Sequence, residues 1–282
     1  MLPRVLSVLQ AALLPARAAV CVPQAGSDPS VHTGLRASCS GYKKVEINMQ
    51  KKKVKPRKSP SRKQRVLIKF LQDNSGSMQV RWAETVSGFK LFVDDLKPKK
   101  DVQYSLSLVL FNTLITPVFS ARSIKEVDSN ALAAHGAGGG TALYDALGHA
   151  LGADSQEADF DKVIYVIVTD GEENSSRVWT KDKIHTLIDE KISGGKSTFT
   201  YLGAQSETWD DAAKIGLAAG MTVAYDLGNT RNMYRAVAGS VSNFSSSELC
   251  ATDNLVGAYA GENLIKSAKL TVYTGKQVPD TN

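Results

Sequence analysis

The sequence predicts an open, doubly wound α/β sheet that is mostly parallel and carries one antiparallel edge strand. Two short apolar runs, residues 66–71 (VLIKFL) and 163–168 (VIYVIV), have the length and composition of buried parallel strands. Between them, apolar side chains recur every three or four residues from Trp82 to Leu96, as on one face of a helix. Strands that alternate with helices are typical of this fold class.

The remaining elements follow from the same two patterns. Residues 115–120 look extended, but Pro117 cannot donate a hydrogen bond to a ladder, so this strand is placed at an edge. Only three residues separate it from the strand before it, which predicts a hairpin with an antiparallel edge strand. Further strands are predicted at residues 104–111, 198–202 and 222–225, and further helices at residues 143–151, 184–192 and 233–244.

Charge sets the N-terminal part of the chain apart from the rest. The 282 residues have a formal net charge of +6, but residues 1–65 contain 14 Lys and Arg against two acidic residues, whereas the remainder contains 20 and 26. We therefore predict a basic arm over residues 1–64, a domain over 65–247 and a C-terminal tail over 248–282. The basic run 51–65 is typical of a solvated linker, and binding of nucleic acid or an anionic surface through it is an alternative function.

Residues 1–27 contain no acidic side chain and are rich in Leu and Ala, which is compatible with a targeting peptide. Gln10 interrupts the apolar stretch, and Met49 is a second candidate start.

The three cysteines have no metal-ligand spacing, and their odd number favours a reducing compartment. We expect a cytoplasmic protein, with export or an organelle as the alternative. No run approaches the roughly 18 apolar residues of a membrane span.

Three polar segments follow predicted strands or precede predicted helices, where ligands collect in open α/β sheets. They are DNSGS at residues 73–77, HGAGGGT at 135–141 and TDGEE at 169–173. A carboxylate followed by two hydroxyls at steps of two offers three oxygens to one ion, and a threonine and a second carboxylate would complete the cage. The predicted metal ligands are Asp73, Ser75, Ser77, Thr141 and Asp170.

A cage of this kind suits Mg²⁺, which takes about six oxygens and keeps several waters, with Mn²⁺ or Ca²⁺ as alternatives. Such a site has few charged protein ligands. We therefore expect an open coordination position that attracts a carboxylate from a partner.

These segments resemble a von Willebrand factor A domain with an intact metal-ion-dependent adhesion site (MIDAS), over about residues 66–246. The matching elements are D-x-S-x-S at 73–77, Thr141 in GGGTALYDAL and Asp170 in VIVTDGEEN. The sequences of these segments are more similar to stand-alone bacterial members than to integrin inserts. The resemblance implies that Ser and Thr hydroxyls bind the metal directly and that aspartates act directly or through water. It also implies a module that binds a protein ligand and catalyses no reaction.

The side chains predicted to form a partner-binding rim around the cage are Asn74, Met78, Asn174, Arg177 and Trp179.

The sequence segments that resemble enzyme motifs lack residues or neighbouring elements that those motifs require. Gly195-Lys196-Ser197 resembles the end of a phosphate-binding loop, but Glu190 stands where that pattern requires glycine. No G-x-S-x-G nucleophile motif occurs, and the four histidines are scattered. By family analogy, an accessory subunit of an ATPase complex is a further alternative.

Overall fold

Seven strands form a single sheet in the computed structural model, which describes residues 62–152, 157–203, 208–218, 221–247 and 262–272. The strands are β1 (Gln64–Asp73), β2 (Val102–Phe111), β3 (Ile115–Ser123), β4 (Lys162–Thr169), β5 (Ser197–Gly203), β6 (Thr222–Tyr225) and β7 (Leu270–Val272). The α-helices are α1 (Trp82–Leu96), α2 (Leu143–Leu151), α3 (Lys181–Ser193), α4 (Thr208–Lys214), α5 (Thr230–Ser246) and α6 (Glu262–Ser267). Residues 1–27 and most of the basic run 51–65 lie outside the described residues.

The strand order across the sheet is β3-β2-β1-β4-β5-β6-β7. β1 pairs in parallel with both β2 and β4, and β4, β5 and β6 continue the parallel pairing. The chain leaves β1 for β2 on one side and later returns to β4 on the other, so the connections diverge between β1 and β4. The predicted fold class, a doubly wound and mostly parallel open sheet, is confirmed.

Antiparallel strands lie at both edges of the sheet. β3 pairs antiparallel with β2, as the hairpin prediction required, and Pro117 lies in this edge strand. The pairing shifts register near Leu108, and Ala121 adopts a left-handed backbone with φ of 43°. β7, which comes from the predicted tail at 248–282, pairs antiparallel with β6 at the opposite edge. The sequence of the tail has an alternating segment at residues 270–273, and this strand lies within it.

Each face of the sheet has its own apolar core. On one face, Ile68 and Phe70 of β1 pack with side chains of α1 and α5, among them Phe89 and Val237. On the other face, Leu67 of β1 and its neighbours pack against α2, α3 and α4. Alternate residues of β1 thus enter different cores, which explains the nearly continuous apolar sequence of this strand. None of the helices in the described part of the chain has the length and apolar character needed to cross a membrane.

Two lysines of the central strands are buried. Lys69 in β1 is 4% exposed and contacts the carboxylate of Glu157 and the carbonyl of Ala150. Lys162 at the start of β4 is 1% exposed and donates to the carbonyl oxygens of Phe244 and Ser247, both at 2.8 Å. Its ammonium group therefore caps the C-terminal end of α5, where the helix dipole favours a positive charge.

Candidate metal-binding site

The three predicted polar segments meet at the carboxyl edge of the sheet. β1 ends at Asp73 and its parallel neighbour β4 ends at Thr169, so the loops after both strands begin side by side. The glycine-rich loop is bound to the loop after β1, since Gly76 N donates to Gly139 O at 2.9 Å and Gly138 N donates to Asn74 O at 2.8 Å. It is bound to the loop after β4 as well, since Asn174 N donates to Thr141 O at 3.0 Å. The site thus lies where the chain direction diverges, the usual position for ligands in an open α/β sheet.

The predicted ligands form a connected set of oxygen atoms. Ser75 Oγ and Ser77 Oγ are 3.0 Å apart, and Ser77 Oγ donates to Asp170 Oδ1 at 2.5 Å. Asp73 Oδ1 accepts a hydrogen bond from Ser75 N at 2.6 Å. Asp73 Oδ2 accepts from the hydroxyl of Thr169, also at 2.6 Å. Two carboxylates and two serine hydroxyls therefore converge from β1, β4 and the loops that follow them.

Thr141 joins this set across the space beside Gly171. A Cβ added at Gly171 would lie 3.2 Å from Thr141 Oγ1, 3.3 Å from Ser77 Oγ and 4.0 Å from Asp73 Oδ2. Gly171 has no side chain and therefore leaves a small space, which is bordered by oxygens of the glycine-rich loop and of the segment 73–77. The structure thus brings all five predicted ligands together.

Burial disfavours the negative charge of Asp73 in the metal-free site. Asp73 is 0% exposed, and burial raises its pKa to about 6, against the lowering effect of hydrogen bonds from Thr169 and Ser75. The nearby Asp170 adds a smaller contribution that also raises this pKa. A positive ion beside Asp73 would stabilise its ionised form. Arg81 Nη1 lies 3.3 Å from Asp170 Oδ2 and offsets part of the negative charge.

The side chains present fit a hard divalent cation. Three hydroxyls and two carboxylates are oxygen ligands of the kind that Mg²⁺ binds, with water completing the shell. Among the described residues, no three His, Cys, Asp or Glu side chains cluster as a metal site. The candidate site therefore depends on its hydroxyl groups. Metal binding by these five residues stays a prediction.

The predicted rim residues have different environments. Asn174 and Arg177 are exposed, and Asn174 Oδ1 accepts a hydrogen bond from Thr141 N at 2.8 Å. Asn74 is half-buried and donates to Gly136 O at 2.9 Å, so it links two loops of the site. Met78 is 1% exposed, because its side chain turns into the core, and the prediction that it lies on the rim is wrong.

Trp179 is half-buried and serves mainly as packing. It lies against the core formed by α2 and α3, and a Cβ at Gly148 would come within 2.3 Å of its indole ring. Gly148 therefore allows the close approach of this ring to α2. The indole covers the helix, so only part of its surface is available to a partner.

Two acidic residues outside the predicted cage hold the loop after β4. Glu173 accepts hydrogen bonds from the backbone N–H groups of Tyr144, Ser175 and Ser176 at 2.7 to 2.9 Å. Asp145, in the first turn of α2, accepts from the N–H groups of residues 177–179 at 2.8 to 3.0 Å. Burial opposes ionisation of Asp145, but these hydrogen bonds outweigh it and lower its pKa.

Replacing Asp145 with alanine is expected to destabilise the domain by about 2–4 kcal/mol, because three backbone N–H groups lose a charged acceptor. Urea unfolding measures this loss. Asp182→Ala is the matched control, since Asp182 is an exposed aspartate in the first turn of α3. Its loss should stay below about 1 kcal/mol. Equal losses in the two variants would show that Asp145 does not clamp the loop.

One known domain family matches most of the sheet and its helices. A family profile for the von Willebrand factor type A domain matches residues 68–236. A mutant of the PilB minor pilin from Streptococcus sanguinis is 13% identical, with a TM-score of 0.51 over 67% of this chain and 65% of that chain. Proximal thread matrix protein 1 from the mussel byssus, solved with a zinc-occupied MIDAS motif, is 18% identical with a TM-score of 0.49.

The mussel match covers 62% of this chain and 48% of the other, so this chain spans about half the length of the solved proteins that it matches first. A von Willebrand factor type A protein from Catenulispora acidiphila is 16% identical with a TM-score of 0.49, over 64% of this chain and 43% of that chain. A search of the curated proteins gave no match. At these identities the solved structures bear on the fold alone.

Proposed function

Because this chain belongs to the von Willebrand factor type A family, we propose that it is a metal-dependent protein-binding module. Asp73, Ser75, Ser77, Thr141 and Asp170 would hold a divalent cation, with Mg²⁺ as the expected ion. When bound, the cation would supply an open coordination position for an acidic side chain of the partner. The observation that carries this proposal is the convergence of the five oxygen-bearing side chains beside Gly171.

The composition of the site supports binding of an external carboxylate. Two carboxylates balance the charge of one divalent ion, but Arg81 already pairs with Asp170. The ion would therefore keep a residual attraction for a further anion. Three of its five proposed protein ligands are neutral hydroxyls, which leave the positive charge of the ion available to an incoming carboxylate.

Exposed apolar side chains surround the same edge of the sheet and support a protein as the partner. Among the described residues, the exposed large hydrophobic side chains are Val80, Leu114 and Val178, at 92%, 72% and 71% exposure. Val80 is three residues after Ser77, Leu114 is in the β2–β3 turn, and Val178 is in the loop after β4.

The turn containing Leu114 contacts the glycine-rich loop, since Gly140 N donates to Thr113 Oγ1 at 2.8 Å. The three apolar side chains thus stand on separate loops of the metal edge. Exposed apolar groups with a polar surround are typical of protein-binding surfaces. We infer a partner segment in which an acidic residue is flanked by apolar side chains.

Calorimetric titration of the full chain with MgCl₂ tests the metal site. One site is expected, and Ser77→Ala should weaken it by roughly tenfold or more, because a ligand oxygen that also orients Asp170 is lost. Ser87→Ala, at an exposed serine of α1 away from the site, is the matched control and should leave the affinity unchanged. No heat of binding in the wild type, or equal affinities in the two variants, would rule out this site.

Protein capture on immobilised chain tests the partner step, with MgCl₂ in one arm and EDTA in the other. A specific partner should be retained only with MgCl₂ and lost with Ser77→Ala. Leu114→Asp and Val178→Asp should reduce retention while leaving Mg²⁺ affinity unchanged, because neither side chain is a proposed ligand. Retention that is indifferent to EDTA would contradict a metal-dependent mode.

A further inference from the structure

A basic pocket lies at the amino-terminal edge of the sheet, opposite the metal site. It has a volume of about 290 Å³, and five cationic side chains line it: Lys63, Arg65, Lys99, Lys100 and Lys125. They come from three separate places in the sequence, namely the start of β1, the loop between α1 and β2, and the segment after β3. The fold therefore assembles a charge cluster that no single sequence motif displays.

Sheet pairing explains why these segments meet. Arg65 in β1 is level with Gln103 in β2, and Lys99 and Lys100 lie just before β2, from which Asp101 separates them. β3 runs antiparallel to β2, so its end returns to the start of β2, and Lys125 follows two residues after Ser123. The starts of two strands and the end of a third thus face the same pocket.

The five cations lack acidic partners among the described residues. Asp101 and Glu126 follow Lys100 and Lys125 in the sequence, and Asp161 accepts from Arg65 N at 2.8 Å and lies 3.8 Å from Arg62 Nη2. The side chain of Arg65 instead lies over the ring of Phe160, with Cζ 5.2 Å from the ring centroid. Because residues 66–282 carry more acidic than basic groups, this concentration of positive charge runs against the charge of the domain.

We propose that this pocket binds a small anion that carries two or more phosphate groups. Five positive charges around one pocket exceed what a single carboxylate would need. The pocket also presents Ser105, Ser123 and Gln103, whose side chains can donate hydrogen bonds to phosphate oxygens. Arginine and lysine are the usual partners of phosphate, and the guanidinium can bind two of its oxygens at once.

The size of the pocket favours a small ligand over a long polymer. Its volume of about 290 Å³ is at the lower end of the range for small-molecule sites, roughly 300–1,000 Å³. β1 has ten residues and ends at Asp73, so about 30 Å of strand lies between this edge and the metal site. The anion site and the metal site would therefore be independent.

Inorganic pyrophosphate is the probe, titrated calorimetrically into the full chain at low salt with EDTA present. We expect binding in the wild type, weakened at least about tenfold by Lys99→Glu/Lys100→Glu, since each charge-assisted contact contributes more than about 1.4 kcal/mol. Lys181→Glu/Lys183→Glu is the matched control, because it reverses two exposed charges on α3, away from the pocket. It should change the affinity less than about threefold, through general charge alone.

Further variants distinguish binding in the pocket from binding at the metal site or the basic arm. Lys125→Glu, from the third segment, should also weaken binding, whereas Asp73→Asn should leave it unchanged. The basic arm is present in every variant, so its contribution is constant. Equal loss in the Lys99/Lys100 and Lys181/Lys183 variants, or binding only of a long oligonucleotide and not of pyrophosphate, would overturn the proposal. Loss of binding with Asp73→Asn would also overturn it.

Discussion

Replacing Asp73 with asparagine is expected to weaken Mg²⁺ binding strongly while making the metal-free domain more stable at neutral pH. The Asp73 carboxyl is 0% exposed, and burial raises its pKa from 3.8 to about 6. Ionising it in the folded protein therefore lowers stability by up to about 3 kcal/mol for a shift of this size. Asparagine removes that penalty and keeps one oxygen to accept the Ser75 N–H group. We expect a gain of about 1–3 kcal/mol in EDTA at pH 7.

The pH dependence of this gain has a definite sign. Without metal, the folded protein holds the Asp73 proton up to about pH 6, whereas the unfolded chain releases it near 3.8. The folded state binds more protons between these values, so rising pH destabilises the wild type through this window. Asparagine has no such proton. The stability difference between variant and wild type should grow from about pH 4 to about 6 and then level off, as measured by urea unfolding in EDTA.

Addition of MgCl₂ should reverse the order of stability. A ligand that binds only the folded state stabilises it by about 2.7 kcal/mol at 100 times its Kd, and only the wild type should gain this. We expect the affinity of Asp73→Asn for Mg²⁺ to fall by roughly 100-fold or more, because a charged ligand is lost from the cage. An asparagine variant that binds Mg²⁺ normally, or that is less stable than the wild type in EDTA at pH 7, would contradict this prediction.

Replacing Gly88 with alanine is expected to destabilise the domain by about 3 kcal/mol, even though alanine favours helix formation. Gly88 lies in α1 where this helix meets α5, and an added Cβ would lie 2.2 Å from Cδ2 of Tyr234. Tyr234 is 0% exposed and its hydroxyl donates to the buried Gln72, so the ring has little freedom to move. The melting temperature should fall by about 6–12 °C.

Ser87→Ala is the control for Gly88→Ala, because Ser87 is the neighbouring exposed residue of α1. It should change stability by less than about 0.5 kcal/mol. Combining Gly88→Ala with Tyr234→Leu should give a loss smaller than the sum of the single losses, since the clash is removed with the ring. An additive double variant would show that the clash is not the cause.

Much of the fold follows from the sequence because the central strands bury both faces. The run at 66–71 extends to Gln64–Asp73 in the structure, and the helix at Trp82–Leu96 has the predicted bounds. α4 and α6 were missed, since their seven and six residues are too few to show a helical period. Lys69 and Lys162 look like solvent-facing residues in sequence. Their burial depends on Glu157 and on the end of α5, which are distant along the chain.

The candidate site was predictable for a related reason. Asp73, Ser75 and Ser77 lie in one segment, and the parallel pairing of β1 with β4 brings Asp170 beside them. The residues that position the loops were harder to predict. Thr169, Asp145 and Glu173 act through hydrogen bonds between segments, and their types are common at strand ends and in first turns of helices. Met78 was misplaced because a six-residue 3₁₀ helix, Gly76–Arg81, turns its side chain inward.

The irregular edge strand β3 affects how the protein meets other molecules. A regular edge strand offers a row of free N–H and C=O groups that can pair with a strand from another chain. Pro117 removes one donor from β3, and the left-handed backbone at Ala121 with the register shift near Leu108 bends the strand out of line. β3 is therefore a poor template for strand addition. This protects the domain from edge-to-edge aggregation and leaves recognition to its loops.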